Sequence, residues 1–367
     1  VGSEMCIRDR SWLYVSHGEQ PLVAAVLWAV KPAVIAIVVH AAWRIGGRVL
    51  KTPWLWAIAV LAFVALAGFS TPFALVLIGA AAAGWALGRW WPASLGPQGK
   101  NPHGSKPASP QARHPPALID DHTPPPPHAR FSRSGLLRVI LAGGLLWVIP
   151  MAALTLWTGR DGTFAQMGLF FSQAALLTFG GAYAVLPFVV QGAVEQHGWV
   201  TPTQMIDGLA LGETTPGPLI MVVAFVAFVG AWQSPEVLAL FGPEHRFAAA
   251  AFAASLVTWF TFLPSFVFIL AGGPLVEGTR GRLGFTGPLT AITAAVVGVI
   301  ASLALFFGVH VVWPHGLEGA ADLRAAAIAA VATAVLLHGR LGVMQVIGLS
   351  AALGLLGGLL GLLPVAA

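Results

Sequence analysis

Apolar stretches follow one another along most of this chain, and all but two of them, 54–68 and 324–338, are long enough to cross a membrane as a helix. A bilayer core of about 30 Å requires roughly 20 helical residues. Because lipid offers no hydrogen bonds to the backbone, such runs predict an all-α polytopic membrane protein. Ten segments can be marked: 22–43, 54–68, 72–90, 135–157, 164–191, 205–232, 248–272, 286–312, 324–338 and 342–362.

The composition excludes an ordinary soluble domain. Of 367 residues, 57% are hydrophobic and 9% are charged, whereas soluble domains have roughly 25% charged residues. The formal net charge is +5, but the charges lie between apolar runs, so we expect the lipid bilayer and not nucleic acid as a partner. The single cysteine, Cys6, excludes an intrachain disulfide framework or a cysteine-based metal cluster. No cofactor is predicted, and the sequence allows a homo-oligomer without specifying one.

Basic residues beside the apolar segments predict how the chain is oriented. They collect at 44–51 and at 89–138, which places both stretches in the cytoplasm. Following the segments onward then puts residues 160–161 outside, 280–282 inside and 318–322 outside. We therefore expect a multi-pass protein of the plasma (inner) membrane.

Four regions are predicted along the chain. Residues 1–10 carry charges without apolar periodicity, lack the features of a signal peptide and are taken as foreign to the fold. Residues 11–91 and 135–367 hold the apolar segments, and residues 92–134 form a proline-rich cytoplasmic linker. The linker histidines have no regular spacing, which favours polar filler over a metal site: His103, His114, His122 and His128.

Two pieces of the first part recur in the last part. Residues 33–38 resemble 295–300, and residues 78–88 resemble 347–357, at offsets of 262 and 269. The predicted orientation runs the two copies in opposite directions, and inverted repeats are typical of secondary transporters. The motif-rich stretch of the second half lies between residues 178 and 265. At the same offset, the matching stretch of the first half would fall before residue 1. We therefore expect an amino-terminally truncated first domain, the alternative being a short accessory module.

Two sites interrupt apolar segments with helix-breaking residues. Gly180 and Gly181 lie in the first, where paired glycines serve either close helix packing or a functional break. The second is the run Thr214-Thr215-Pro216-Gly217-Pro218. Its prolines cannot sustain a helical hydrogen-bond ladder, and lipid tolerates such backbone only where protein or a watery cavity surrounds it. A helix starting near Pro218 would point unpaired N–H groups into that cavity, which favours an anion.

Three charged residues of the apolar segments are candidates for function. Glu213 directly precedes the second break, and a carboxylate at that depth predicts a proton-coupling role or a brace for the broken backbone. Asp207 either shares the proton-coupling role or caps a helix near an aqueous end. No Lys or Arg occurs between Asp161 and His245, so an anion site there relies on backbone dipoles, hydroxyls and histidine, or borrows a cation from elsewhere. Lys31 is the candidate, its alternative being a snorkelling side chain.

Several short motifs occur in order over the second half. They are Phe179 to Ala184 with Pro187, Gly198-Trp199, Asp207 to Leu211, Glu213 to Ile220, Gly230 and Phe262 to Ser265. Together they resemble the chromate transporter (chromate ion transporter) family. Residues 135–362 look like an entire second family domain, and residues 21–90 look like the closing part of a first. The resemblance implies two domains of opposite orientation that export chromate, with sulfate as its structural mimic.

We accordingly expect alternating access around a midplane cavity, and chromate resistance as its consequence. The tetrahedral dianion would bind at Gly180-Gly181 and at Thr214 to Gly217, with Lys31 as the cation and Glu213 handling a coupled proton. A carrier for sulfate or another oxyanion, or an inactive fragment of such a carrier, remains an open alternative. An intramembrane enzyme is disfavoured because no His-Glu-x-x-His or Gly-x-Ser-x-Gly pattern occurs.

Overall fold

The computed structural model describes residues 2–91, 132–178, 182–215, 217–278 and 286–361, and within them every regular element is helical. The protein is thus an all-α membrane protein, as predicted. The helices are α1 Gly2–His17, α2 Pro21–Val49, α3 Pro53–Phe69, α4 Phe73–Trp90, α5 Arg133–Thr158, α6 Thr163–Leu176, α7 Ala182–Val190, α8 Pro202–Glu213, α9 Val222–Gln233, α10 Pro235–Phe241, α11 Arg246–Gly278, α12 Thr286–Val312, α13 Leu323–Leu337 and α14 Val343–Leu359.

Local chemistry sets the boundaries of these helices. Thr52 accepts a hydrogen bond from the Leu55 N–H and is followed by Pro53 at the first helical position, so α3 begins there. The same helix ends at Ser70, whose φ of 48° is left-handed. Thr201 and Gln204 form a capping box that starts α8. Proline and hydroxyl residues thus mark where these helices begin or end.

The predicted number of ten crossings is not confirmed. Among the described residues, five helices are long and apolar enough to cross a membrane, or six if the bent pair Leu219–Gln233 and Pro235–Phe241 counts as one span. Segments 164–191 and 205–232 do not form single helices, because each breaks in its middle and folds back as a hairpin. Hydropathy alone does not distinguish a crossing from such a hairpin. Replacing two crossings by two hairpins leaves the predicted sidedness of later loops unchanged.

The first hairpin consists of α6 and α7, with a π-helical turn Gln191–Gln196 extending α7. Phe170 of α6 stacks on Phe188 of α7 at 4.8 Å between ring centroids. These rings lie equally far from the break between the two helices. Helix α6 has 14 residues and is about 21 Å long, which is less than the hydrocarbon thickness. The hairpin tip therefore falls inside the membrane.

The second hairpin consists of α8 and α9, and its open end lies beside the open end of the first. Gln204 near the start of α8 hydrogen-bonds Gln233 at the end of α9, at 3.3 Å. Gln233 also donates to the Trp199 carbonyl oxygen in the segment between the hairpins. At the start of α6, Thr163 Oγ1 donates to Glu236 Oε2 over 2.7 Å. The four open ends thus share one side of the molecule, and both tips point away from it.

The two halves of the chain pack reciprocally. Helix α2 packs against α12, α13 and α14, whereas α12 packs against α2, α3 and α4. Gly84 of α4 lies so close to residues 287–291 that a Cβ there would be 2.6 Å from a carbonyl oxygen, and Gly354 of α14 has the same relation to residues 25–29, also at 2.6 Å. These two stretches are 262 positions apart, which is the offset of the repeat found in the sequence.

Helices α2 and α12 run antiparallel. Trp28 Nε1 in the first third of α2 donates to Asp322 Oδ2 at 3.0 Å, and the Asp322 N–H donates to the carbonyl oxygen of Val312, the last residue of α12. Toward the other end of α2, a Cβ on Gly46 would lie 3.2 Å from Val297. Moving forward along α2 therefore means moving backward along α12. The predicted inverted repeat is present in the packing of the two halves.

Helix α1 contains most of the segment that the sequence analysis separates from the fold. It packs on α8, α9 and α11. Ile7 and Ser11 are fully buried, and the Tyr14 ring meets Phe225 of α9 edge-on at 5.3 Å. In this structure residues 2–10 therefore continue a helix that covers the second hairpin.

We predict that Gly84→Val and Gly354→Val each destabilise the protein, by about 1–3 kcal/mol, because the added side chain overlaps the backbone of the facing helix. Gly79→Val and Gly348→Val are matched controls on the same two helices, since a Cβ at either position meets nothing within 4 Å. Thermal unfolding in detergent measures the four variants. Equal stability of contact and control variants would contradict the reciprocal packing.

Candidate functional site

The tips of the two hairpins meet through one hydrogen bond. Tyr183, the second residue of α7, donates its hydroxyl hydrogen to Oε1 of Glu213, the last residue of α8. Both side chains are partly buried. Glu213 therefore ties one broken helix to the other, at the point where each hairpin reaches farthest from its open end.

The break after α8 forms as predicted. A 3-10 turn, Leu219–Met221, begins directly after Pro218 and leads into α9. Gly217 has a φ of +149°, which side chains disfavour. The Met221 N–H donates to the Pro218 carbonyl oxygen, whereas the N–H groups of Leu219 and Ile220 come too early in the new helix to have an acceptor within it. The backbone there offers donors to an anion, and the positive end of the helix dipole favours one.

Thr214 and Thr215 lie at this break, but their hydroxyl hydrogens are engaged. Both donate to the Leu211 carbonyl oxygen, Thr214 over 3.0 Å and Thr215 over 2.7 Å. A hydroxyl has one hydrogen to donate, so an oxyanion must either displace these bonds or bind to backbone N–H groups. The predicted binding residues Gly180, Gly181 and Pro216 lie outside the described residues.

Lys31 pairs with Asp207 and not with the break. Its Nζ lies 3.5 Å from Asp207 Oδ2, and the Tyr14 hydroxyl donates to the same oxygen over 3.0 Å. Asp207 is 2% exposed, and its Oδ1 has no hydrogen-bond partner. Thr201 caps α8, so Asp207 does not have the capping role that was its alternative. The two charges neutralise each other inside the protein, one turn and a half before the break.

Arg10 is the cation that contacts the break. Its Nη1 lies 2.6 Å from Thr214 Oγ1, 3.0 Å from Thr215 Oγ1 and 3.3 Å from the Leu211 carbonyl oxygen. Sequence reasoning missed this contact because it set residues 1–10 aside. Arg10 and Tyr14 are four residues apart on one face of α1, and they contact α8 in reverse order, so the two helices run antiparallel.

Both tyrosines of the chain hold a carboxylate of α8. The sequence contains two tyrosines; Tyr14 donates to Asp207 and Tyr183 donates to Glu213. Sequence reasoning assigned no role to either tyrosine. The scarcity of tyrosine in a chain with many other aromatic residues was the available signal, because a phenol inside lipid needs an acceptor.

Comparison with known proteins decides the family. Residues 6–85 and 165–356 match the family model described as Chromate transporter, and together these ranges cover more than half of the chain. The chain belongs to the chromate transporter family. Both described carboxylates of the site, Asp207 and Glu213, lie within the second matched range.

Members of the family match this chain over part of their length. A chromate transport protein of Pseudomonas aeruginosa is 30% identical over 300 residues, which are 80% of this chain and 58% of the relative. A chromate transport protein of Cupriavidus metallidurans is 29% identical over 136 residues, 37% of this chain and 29% of the relative. A probable chromate transport protein of Synechococcus elongatus is 26% identical over 161 residues, which are 44% of this chain and 36% of the relative. The chain spans less than two thirds of each, and no solved structure matches it significantly.

We predict that Lys31→Gln costs about 3 kcal/mol of stability, because it leaves the buried Asp207 carboxylate without its counter-charge. The double variant Lys31→Gln/Asp207→Asn should recover much of this loss. Lys51→Gln, at an exposed lysine just past α2, is the matched control. Thermal unfolding measures the stability of Lys31→Gln, Asp207→Asn and the double variant. If the loss in the double variant equals the sum of the losses in the two single variants, the pair does not interact.

Proposed function

We propose that this protein transports chromate across the plasma membrane, exporting it from the cytoplasm and so conferring chromate resistance. Membership of the chromate transporter family supports the substrate, since two of its relatives are named chromate transport proteins. The single observation that carries the proposal is the meeting of two broken hairpins at Tyr183 and Glu213. Broken helices with a carboxylate at their junction are typical of carriers that bind a substrate within the membrane.

The proposed oxyanion site is the break between α8 and α9. Backbone N–H groups at the start of the helix that follows Pro218 supply the main donors, and Thr214 and Thr215 join by turning their hydroxyl hydrogens away from Leu211. The partner tip at Gly180-Gly181 supplies the second helix start. Lys31 contributes once the incoming dianion competes with Asp207 for it, which gives Asp207 a share in proton coupling.

Transport is proposed to proceed by alternating access. The hairpins α6–α7 and α8–α9 form one unit whose tips carry the site, whereas α2 and α12 with their reciprocal neighbours form the other. Movement of the first unit against the second would expose the tips first to one side of the membrane and then to the other. The inverted repeat supports this mechanism, because it gives the scaffold two related arrangements.

Glu213 is proposed to carry the coupled proton. In its charged form it repels a dianion at the neighbouring break, and in its protonated form it does not. The hydrogen bond from Tyr183 holds the carboxylate at that position. Proton binding to Glu213 and oxyanion binding at the break therefore favour each other.

We predict that Glu213→Gln lowers the flux of labelled chromate in proteoliposomes roughly tenfold and removes its pH dependence. Glutamine keeps the hydrogen bond with Tyr183 but cannot bind and release a proton. Glu318→Gln is the control, since that carboxylate is exposed and far along the chain from the break. Unchanged flux and pH dependence in Glu213→Gln would contradict the role of Glu213.

An excess of unlabelled sulfate distinguishes the substrates. Backbone dipoles bind an anion by its charge and shape and not by its central atom, so sulfate should compete with chromate at the same break. Sulfate flux without chromate flux would instead support a sulfate carrier. Flux of neither anion from the wild-type chain would contradict the proposed transport activity.

A further inference from the structure

A cavity of about 270 Å³ lies between the end of α3, the α7 wall and the last three turns of α12. Its polar lining consists of Ser70, Gln191, Glu195, Ser302 and His310. Gln191 Oε1 accepts a hydrogen bond from the Phe73 N–H at 3.1 Å, which fixes the turn before α4 to this wall. The cavity is thus built by both halves of the chain, away from the break after α8.

The cavity extends from the open end of the first hairpin toward its tip. His310 and Ser302 both line it and are eight residues apart on α12, which corresponds to about 12 Å along the helix. On the opposite wall, Pro187 and Gln191 line it and are four residues apart. Tyr183 precedes Pro187 by the same spacing and so lies on the same face of α7. The inner end of the cavity is therefore one turn of α7 from Tyr183, the residue whose hydroxyl binds Glu213.

Two ionisable groups line the outer end of the cavity, His310 and Glu195. His310 Nδ1 lies 2.8 Å from the Phe306 carbonyl oxygen. Because a carbonyl oxygen can only accept, Nδ1 carries a hydrogen, which leaves Nε2 as the nitrogen that can accept one. Glu195 is exposed, and its negative charge at this opening attracts protons and repels a dianion. The opening thus repels an oxyanion and attracts a proton.

We propose that this cavity is the route by which protons reach Glu213, separate from the route of the oxyanion. The proposal rests on the proposed function, in which Glu213 carries the coupled proton. A proton taken up by His310 Nε2 or the Glu195 carboxylate passes along water in the cavity to the Tyr183 hydroxyl, which gives its own hydrogen to Glu213. The carboxylate thereby becomes neutral, and the tyrosine regains its hydrogen from the cavity.

The charges around this route agree with that assignment. The α7 wall contributes Tyr183 and Glu195, α12 contributes His310, and α3 contains no ionisable residue. Arg10 and Lys31 reach α8 from α1 and α2, and neither helix lines the cavity. The described cations that contact α8 therefore lie on helices that do not line the cavity.

The test measures how fast Glu213 is protonated after a pH jump, by time-resolved infrared spectroscopy in proteoliposomes without chromate. The carboxyl band that disappears in Glu213→Gln identifies the group. Ser302→Leu fills the inner end of the cavity, and Gly308→Leu is its control on the same helix, where a Cβ meets nothing within 4 Å. We expect Ser302→Leu and the surface double variant Glu195→Gln/His310→Gln each to slow protonation about tenfold, and Gly308→Leu to leave it unchanged.

Unchanged protonation rates in both Ser302→Leu and the double variant would overturn the proposal, whichever anion the protein carries. Slowed rates together with an unchanged chromate Kd in the double variant support a route separate from the binding site. A weakened chromate affinity in the double variant would overturn that separation. Because the infrared measurement needs no chromate, failure of the proposed transport activity would be recognised independently, by the absence of flux in the wild-type chain.

Discussion

A helix that ends inside a membrane leaves backbone N–H and C=O groups that lipid cannot satisfy, and this constraint shapes the protein. Helices α6 and α8 both end part-way across the hydrocarbon layer. They are tolerated because each folds back on a partner helix and because their tips meet through Tyr183 and Glu213. At the break after α8, Thr215 is buried whereas Gly217 and Pro218 are exposed, so polar backbone remains accessible beside the junction of the tips.

The scaffold around the hairpins depends on close approach of helices. Gly84 and Gly354 let α4 and α14 reach the backbones of α12 and α2, since van der Waals packing and not hydrophobicity joins helices in lipid. The two contacts are related by the repeat, and α2 and α12 run antiparallel. These opposed directions support the proposed alternating access.

Much of the helical frame could be predicted from the sequence, because apolar runs bounded by proline and hydroxyl residues specify where helices begin and end. The offset of 262 likewise reappears in the contacts of Gly84 and Gly354. The hairpins could not be predicted, since residues in a re-entrant helix are as apolar as those in a crossing one. Pairings between distant positions, such as Tyr14 with Asp207, depend on packing that no local pattern encodes. Lys31 was predicted as the cation of an anion site, whereas its contact with Asp207 follows from the need of a buried carboxylate for a counter-charge.

The account depends most on both hairpins entering and leaving on one side of the membrane. Side-specific thiol labelling tests this directly in a Cys6→Ser background, which removes the single native cysteine. Arg160→Cys precedes the first hairpin and Gln196→Cys ends it. Labelling of both positions by a membrane-impermeant reagent from the same side is the predicted result. Labelling from opposite sides would mean that residues 163–196 cross the membrane, and would contradict the meeting of two re-entrant tips at Glu213.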